Sequence, residues 1–394
     1  MRRNPPLWTL PAAGFAATAM TYGPARMGFG LFLTDFRATF SFSTEMAGLV
    51  SGLGFFGFLL GLFGTCAMTA RYGPRSPVLL GLAAAILGMG LIAAAPNLPI
   101  LATGVFFAMS SPGFTWAPFN DAVHRRIEDE ARPRALSVIS TGTSLGIAAA
   151  GVTALGLSAA GLSWRVAWVG FAVAAALVLA ANRIALQDGT ARAGDEAAWH
   201  WSILMKRSAL PLYGVALSFG TTSAIFISFA AERIAQAGGL PGLPANAAAA
   251  IVFIFYGLAG LLGLATGRAR SRLGLGPLLG LLMLASALSL AFVGLTPTSW
   301  IGVGLAAALQ GIFVMMMSAT LAFWSERLFP ERPAPGFTAV LLFVALGGVL
   351  GPVAAGFAAA AFGLGPMFVW TAAIPGITAV FVRSHRLSER AGAT

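Results

Sequence analysis

The chain has 394 residues, 58% of them hydrophobic and only 9% charged, with a formal net charge of +11. A soluble domain carries about 25% charged residues, so this composition excludes one and describes a chain embedded mostly in a bilayer. The basic excess does not describe a nucleic-acid groove either, because the arginines stand in short clusters between long apolar runs.

Taken in order, the chain divides into twelve apolar spans bounded by turn residues or charges. They lie at about 7–34, 45–69, 77–95, 98–122, 135–158, 164–185, 209–231, 246–267, 276–295, 299–324, 336–360 and 364–382. The N-terminal MRRNPPLWTLPAAGFAATAM has the basic, apolar and small-residue sections of a secretory signal. Its apolar run continues to Leu33, so it is read as the first span. Arg26 is the only charge inside that run. Tyr22, one turn earlier, shares its helix face, and Gly23 and Pro24 between them predict a bend. An arginine at this depth costs roughly 2.5–3.5 kcal/mol on insertion scales and usually faces a bundle interior or a watery cavity. The functional reading is that Arg26 binds an anionic group; the alternatives are snorkelling to the interface or pairing with Asp35.

The loops alternate in charge. One side carries Arg2, Arg3, Arg71, Arg75, Arg125, Arg126, Arg132, Arg134, the cluster from Arg183 to Arg207, Arg268, Arg270, Arg272, Arg327, Arg332, Arg383, Arg386 and Arg390. The other carries Arg37, Arg165 and Arg233. The positive-inside rule makes the first side cytoplasmic, with both termini there. The longest polar stretch, Gln187 to Arg207, reads as a cytoplasmic linker, with Trp199, His200 and Trp201 opening an interfacial segment. The domains are then a six-helix bundle over 1–186, the linker 187–208, a second bundle over 209–383 and a tail, 384–394.

The halves repeat at an offset close to 200 residues. Arg71-Tyr72-Gly73 matches Arg272-Leu273-Gly274, Arg126-Ile127 matches Arg327-Leu328, and Gly146 matches Gly347. At a slightly smaller offset Tyr22-Gly23 matches Phe219-Gly220, which places Ser223 opposite Arg26. Two parallel six-span halves are a transporter architecture. Glycines at small-xxx-small spacing, among them Gly48, Gly52, Gly57 and Gly61 in span two and Gly347 and Gly351 in span eleven, predict close helix packing.

These features resemble the major facilitator superfamily over essentially the whole length. The family's loop motif, Gly-x-x-x-Asp-Arg-x-Gly-Arg/Lys-Arg/Lys, is matched by Arg71, Gly73 and Arg75, with Cys66 and Ala70 replacing the glycine and the acid. The second copy keeps Gly267, Arg272 and Gly274 and carries Ser271 for the acid. The missing acids put in doubt the charge contact between halves that the motif implies. The arginine shortly after Tyr-Gly-Pro is similar to that of bacterial subgroups. The resemblance implies an all-α integral membrane protein of twelve transmembrane helices in two pseudo-symmetric six-helix bundles. It also implies a monomer in the bacterial cytoplasmic (inner) membrane, with spans one, four, seven and ten lining a central cavity.

On that basis the candidate substrate-binding residues are Arg26 and Tyr22 from span one and Trp116 and Asn120 from span four. Thr222, Ser223 and Phe226 from span seven and Gln310 and Met315 from span ten complete the set. Arg71, Gly73, Arg75, Arg272 and Gly274 form the gating loops. Asp121, beside His124, Arg125 and Arg126, reads as a solvated or ion-paired gate residue. Asp35, Glu45 and Glu232 read as solvated helix ends, and no carboxylate falls at mid-membrane. Cys66 is the single cysteine, which leaves no disulfide and no Cys/His metal spacing. No Walker loop, dinucleotide fingerprint or nucleophile motif is present, so no enzyme, cofactor or metal is expected. The reading is a secondary transporter, by symport or antiport, of a small anionic or zwitterionic organic solute such as a carboxylate. It works by alternating access, with membrane lipid around it, no nucleic acid bound, and proton coupling left open. The alternatives are an exporter of apolar drugs or metabolites, with Arg26 structural, and a non-transporting sensor or scaffold.

Overall fold

The computed structural model describes residues 8–186, 206–244 and 247–384. Most of the expected linker, with Trp199, His200 and Trp201, lies outside the described residues, as do Arg2, Arg3 and the tail from 385. The described residues form twelve helices. The first, α1, is a succession of Thr9–Met20, a π-helical turn Thr21–Ala25, Arg26–Leu31 and Leu33–Phe40. There follow α2 Thr44–Tyr72, α3 Arg75–Ala94, α4 Leu98–Arg126, α5 Arg132–Ala159, α6 Trp164–Ala185, α7 Leu210–Gln236, α8 Ala247–Leu273, α9 Leu275–Leu295, α10 Trp300–Leu328, α11 Pro333–Phe362 and α12 Leu364–Ser384. By length and composition α2 to α12 can each cross a membrane. Large apolar side chains such as Leu177, Ile184, Ile301 and Ile377 stand on the outside, as a lipid-facing surface requires.

Short polar residues start these helices. Ser43, Asn97, Ser163 and Ser299 accept hydrogen bonds from the backbone of the first turn of α2, α4, α6 and α10. Gly73 and Gly274 end α2 and α8 at φ +73° and +79°, a conformation that needs glycine. The two loops of the repeat are therefore alike in geometry as well as in letters.

The first helix runs past its expected end at 34 to Phe40. Its apolar face persists beyond Asp35, because Phe36 and Phe40 pack on Trp164 of α6, at 4.9 and 6.2 Å between ring centroids.

Within each half the repeat governs packing. Gly146 of α5 receives the backbone of Ala19 in α1, and Gly347 of α11 receives that of Leu217 and Thr221 in α7. Between halves α2 lies on α11, α5 on α8, and the distal part of α1 on α7. The glycine stripe of α2 serves both purposes: Gly48 and Gly52 face α11 across the seam, whereas Gly57 and Gly61 face α4 in the same half.

The arginine-bearing loops gather at one end. There Arg75 donates to the Arg183 carbonyl, Arg126 to that of Ala185, and Arg134 stands over Trp8. The opposite end holds Arg37, Arg165 and Arg233, each donating to a backbone carbonyl.

Candidate functional site

The irregularity of α1 positions the site. Proline has no N–H to donate and crowds the carbonyl one turn back. The π-turn that contains Pro24 absorbs this misfit, so the expected bend at Gly23 and Pro24 takes that form. Gly23 presses on the backbone of Gly146, and the Thr21 hydroxyl bonds that of Thr115 on α4 at 3.1 Å. Helical winding resumes at Arg26.

The Arg26 guanidinium lies among three rings. Its carbon is 4.4 Å from the Phe58 centroid, 5.3 Å from that of Phe55 and 5.5 Å from that of Tyr22. Arg26 is half-buried and, among the described residues, makes no hydrogen bond and no ion pair. A desolvated cation–π contact is worth up to about 2 kcal/mol. Three can offset the roughly 2.5–3.5 kcal/mol that a mid-membrane arginine costs. Ring faces still leave the guanidinium's donor fork without an oxygen acceptor. Asp35, a candidate partner on the same helix, does not reach it.

The other candidate residues fall into three groups. Tyr22 is half-buried beside Arg26. Phe226 is fully buried against Tyr256, with centroids 6.0 Å apart. Thr222 and Ser223 are buried and commit their hydroxyl protons to carbonyls one turn back, at 2.8 and 2.6 Å. Gln310 is fully buried with neither amide atom hydrogen-bonded, and Met315 packs against Gly260 and Gly263 of α8. Toward the arginine-rich end, Trp116 is half-buried, Asn120 is exposed, and Asp121 pairs with Arg125 at 2.8 Å. In the loops Arg71 stands over the Tyr72 ring, and Arg272 lies in the last turn of α8 before Gly274.

Sequence reasoning missed Phe55, Phe58 and Tyr256. Tyr256, on α8, is fully buried against Phe226, and the part of α8 that carries it packs on the Arg26–Leu31 segment of α1. A signal was present: the offset that carries Arg71 to Arg272 carries Phe55 to Tyr256. Only 4 tyrosines occur in the chain, and two of them are at this site.

The end opposite the arginine-rich loops is sealed between halves. Glu232 of α7 pairs with Arg37 of α1 at 2.8 Å and accepts from Thr34 and Gln236. The Ser51 and Ser228 hydroxyls bond across the seam, and Gly30 admits the Ile227 carbonyl where any side chain would collide. Glu232 is therefore buried, at 4% exposure, and not solvated as its place at a helix end suggested; α1 continues far enough to cover it.

The Major Facilitator Superfamily family model matches residues 13–263, more than half of the chain. No curated protein matches in sequence. Among solved structures, a bacterial homologue of the human lysosomal transporter Spinster, inward-facing and unoccupied, is similar at 17% identity and TM-score 0.77. That match covers 99% of this chain and 100% of the other. A variant of the nucleoside transporter NupG is similar at 11% identity and TM-score 0.77, over 95% and 98% of the two chains. A POT family transporter in complex with 5-aminolevulinic acid is similar at 13% identity and TM-score 0.74, over 95% of each. Twelve helices in two related halves, a sealed end and a sequence match across the first half and into the second lead to one conclusion: the chain belongs to the Major Facilitator Superfamily and is a membrane transporter, not an enzyme.

Proposed function

We propose that the chain is a secondary active transporter of a small organic anion or zwitterion, such as a carboxylate, which Arg26 binds midway along α1. The observation that carries this reading is the half-buried Arg26 guanidinium, held among three rings with no anionic partner among the described residues. A carboxylate entering from water gains forked, charge-assisted hydrogen bonds that nothing in the chain now supplies. Tyr22 orients the bound group, and Trp116 and Phe226 give apolar surface. Alternating access then runs about the α2–α11 and α5–α8 seams, with Gly73 and Gly274 in the loops that turn between helices. The arginine-rich end and both termini face the cytoplasm, a reading that the positive-inside rule supports, and the family resemblance favours a bacterial inner membrane. The protein acts as a monomer with a small-molecule substrate, among lipids.

A 5-aminolevulinic acid-bound POT transporter with the same fold is consistent with a zwitterionic solute, although at 13% identity it carries only the fold. One observation favours the second reading, export of apolar compounds: the rings already compensate much of the cost of burying Arg26. A thermal-shift screen separates the two, since a ligand stabilises the fold by about RT ln(1 + [L]/Kd). Stabilisation by carboxylates above neutral and cationic compounds is expected. Stabilisation by neutral apolar compounds alone would overturn the anion reading.

A further inference from the structure

The helix segment that carries Tyr256 meets the Arg26 segment from the other half of the protein. Ala247–Gly260, the first part of α8, packs against Arg26–Leu31 of α1. The Tyr256 ring is fixed between Phe226 and Phe253, at 6.0 and 6.5 Å between centroids, and Gly311 of α10 presses on its backbone carbonyl. The side chain is fully buried, yet its hydroxyl has no hydrogen-bond partner. A buried phenol without a partner is costly to retain. The equivalent position in the first half is Phe55, whose ring lies under the same guanidinium and carries no hydroxyl. The hydroxyl is thus an asymmetry between two rings that the repeat matches, one in each half.

We propose that Tyr256 is a specificity-determining residue whose phenol donates a hydrogen bond to the carboxylate that Arg26 holds, so that both halves bind one anionic group. The proposal rests on the Arg26 reading. The chemistry is complementary: a guanidinium fork occupies one side of a carboxylate and leaves oxygen lone pairs for a further donor. A primary amide offers one uncharged acceptor oxygen in place of two charged ones, so it cannot take the full guanidinium fork together with the phenol, and the bonds it does accept are weaker. Binding also draws α1 and α8 together, which ties recognition to movement of the halves. A solute lacking a carboxylate or similar oxyanion exchanges water for these donors with little net gain from either side.

The test is Tyr256→Phe in the full-length protein, which keeps the ring and removes the hydroxyl. The probes are pyruvate, lactate, benzoate and hexanoate, each with its primary amide. Three results are expected. The melting temperature without probe is unchanged or raised, because an unpartnered hydroxyl has been removed. Affinity for the best-bound carboxylate falls about tenfold or more, as for a lost hydrogen bond to a charged group. Affinity for its amide stays within about twofold, well under one such hydrogen bond. In the double variant with Arg26→Lys, the losses are less than additive, because both groups act on one carboxylate. Unchanged carboxylate affinity in Tyr256→Phe would overturn the proposal. So would a lowered melting temperature without probe, since it would show the hydroxyl engaged in holding the fold. If Arg26→Ala loses the carboxylate and Tyr256→Phe does not, only this proposal fails. If Arg26→Ala keeps the carboxylate, or no carboxylate binds better than its amide, the Arg26 reading fails first and takes this one with it.

Discussion

At Arg26 the question is what compensates a cation in the bilayer. Phe58 gives the closest of its three ring contacts. Replacing Phe58 with Leu keeps apolar volume but removes the π face, a loss of about 0.5–2 kcal/mol. Phe58→Leu should lower carboxylate affinity between twofold and about thirtyfold, measured by calorimetry. Unchanged affinity would mean that the ring does not hold the guanidinium in place. At the sealed end the same reasoning applies to Glu232, which is more deeply buried than its partner, Arg37. Arg37→Ala leaves a buried carboxylate without its cation, which costs up to about 3–5 kcal/mol. Adding Glu232→Gln removes that charge, so the double variant should recover much of the melting temperature lost by Arg37→Ala. A double variant melting below Arg37→Ala would assign Glu232 a stabilising role independent of the pair.

At the scale of elements, the loops after α2 and α8 carry the sharpest constraint. Gly73 and Gly274 take φ of +73° and +79° with ψ near 180°, which residues with a side chain adopt only under strain. Valine at either position should lower stability by about 1–3 kcal/mol and slow transport. Wild-type melting and transport in both variants would show that the matched loops have no mechanical role. The helices were legible because each is a long apolar run closed by a recognisable cap or charge. The length of α1 was not, because Asp35 and Arg37 look like an exit from the membrane while Phe36 and Phe40 continue the buried face toward Trp164. The π-turn was legible only as a bend: Pro24 states that the ladder breaks, and its contact with α5 through Gly23 decides how.

At the scale of the molecule, the repeat made both the fold and its pseudo-symmetry readable. Arg26 itself stood out as a lone charge, whereas its surroundings did not. Phe55 and Phe58 are two aromatics among 30 phenylalanines, and only their place beside the Arg26 guanidinium singles them out. Burial of Thr222, Ser223 and Gln310 could not be read from spacing, since polar groups on a membrane helix serve its own backbone as readily as a solute. The charge asymmetry of the loops predicts that a reporter fused after Arg390 is active in the cytoplasm, and periplasmic activity would reverse the orientation. The central claim is that Arg26 selects negative charge. Its most direct test is titration of folded, monodisperse wild-type, Arg26→Lys and Arg26→Ala protein with a bound carboxylate and its neutral amide. Losing charge-assisted bonds costs about 1.5–3 kcal/mol, so Arg26→Ala should bind the carboxylate roughly tenfold to a hundredfold more weakly. Arg26→Lys should fall between the two, and amide affinity should be unchanged throughout. Wild-type carboxylate affinity in Arg26→Ala, or equal loss of both compounds, would contradict the account and leave Arg26 a structural residue.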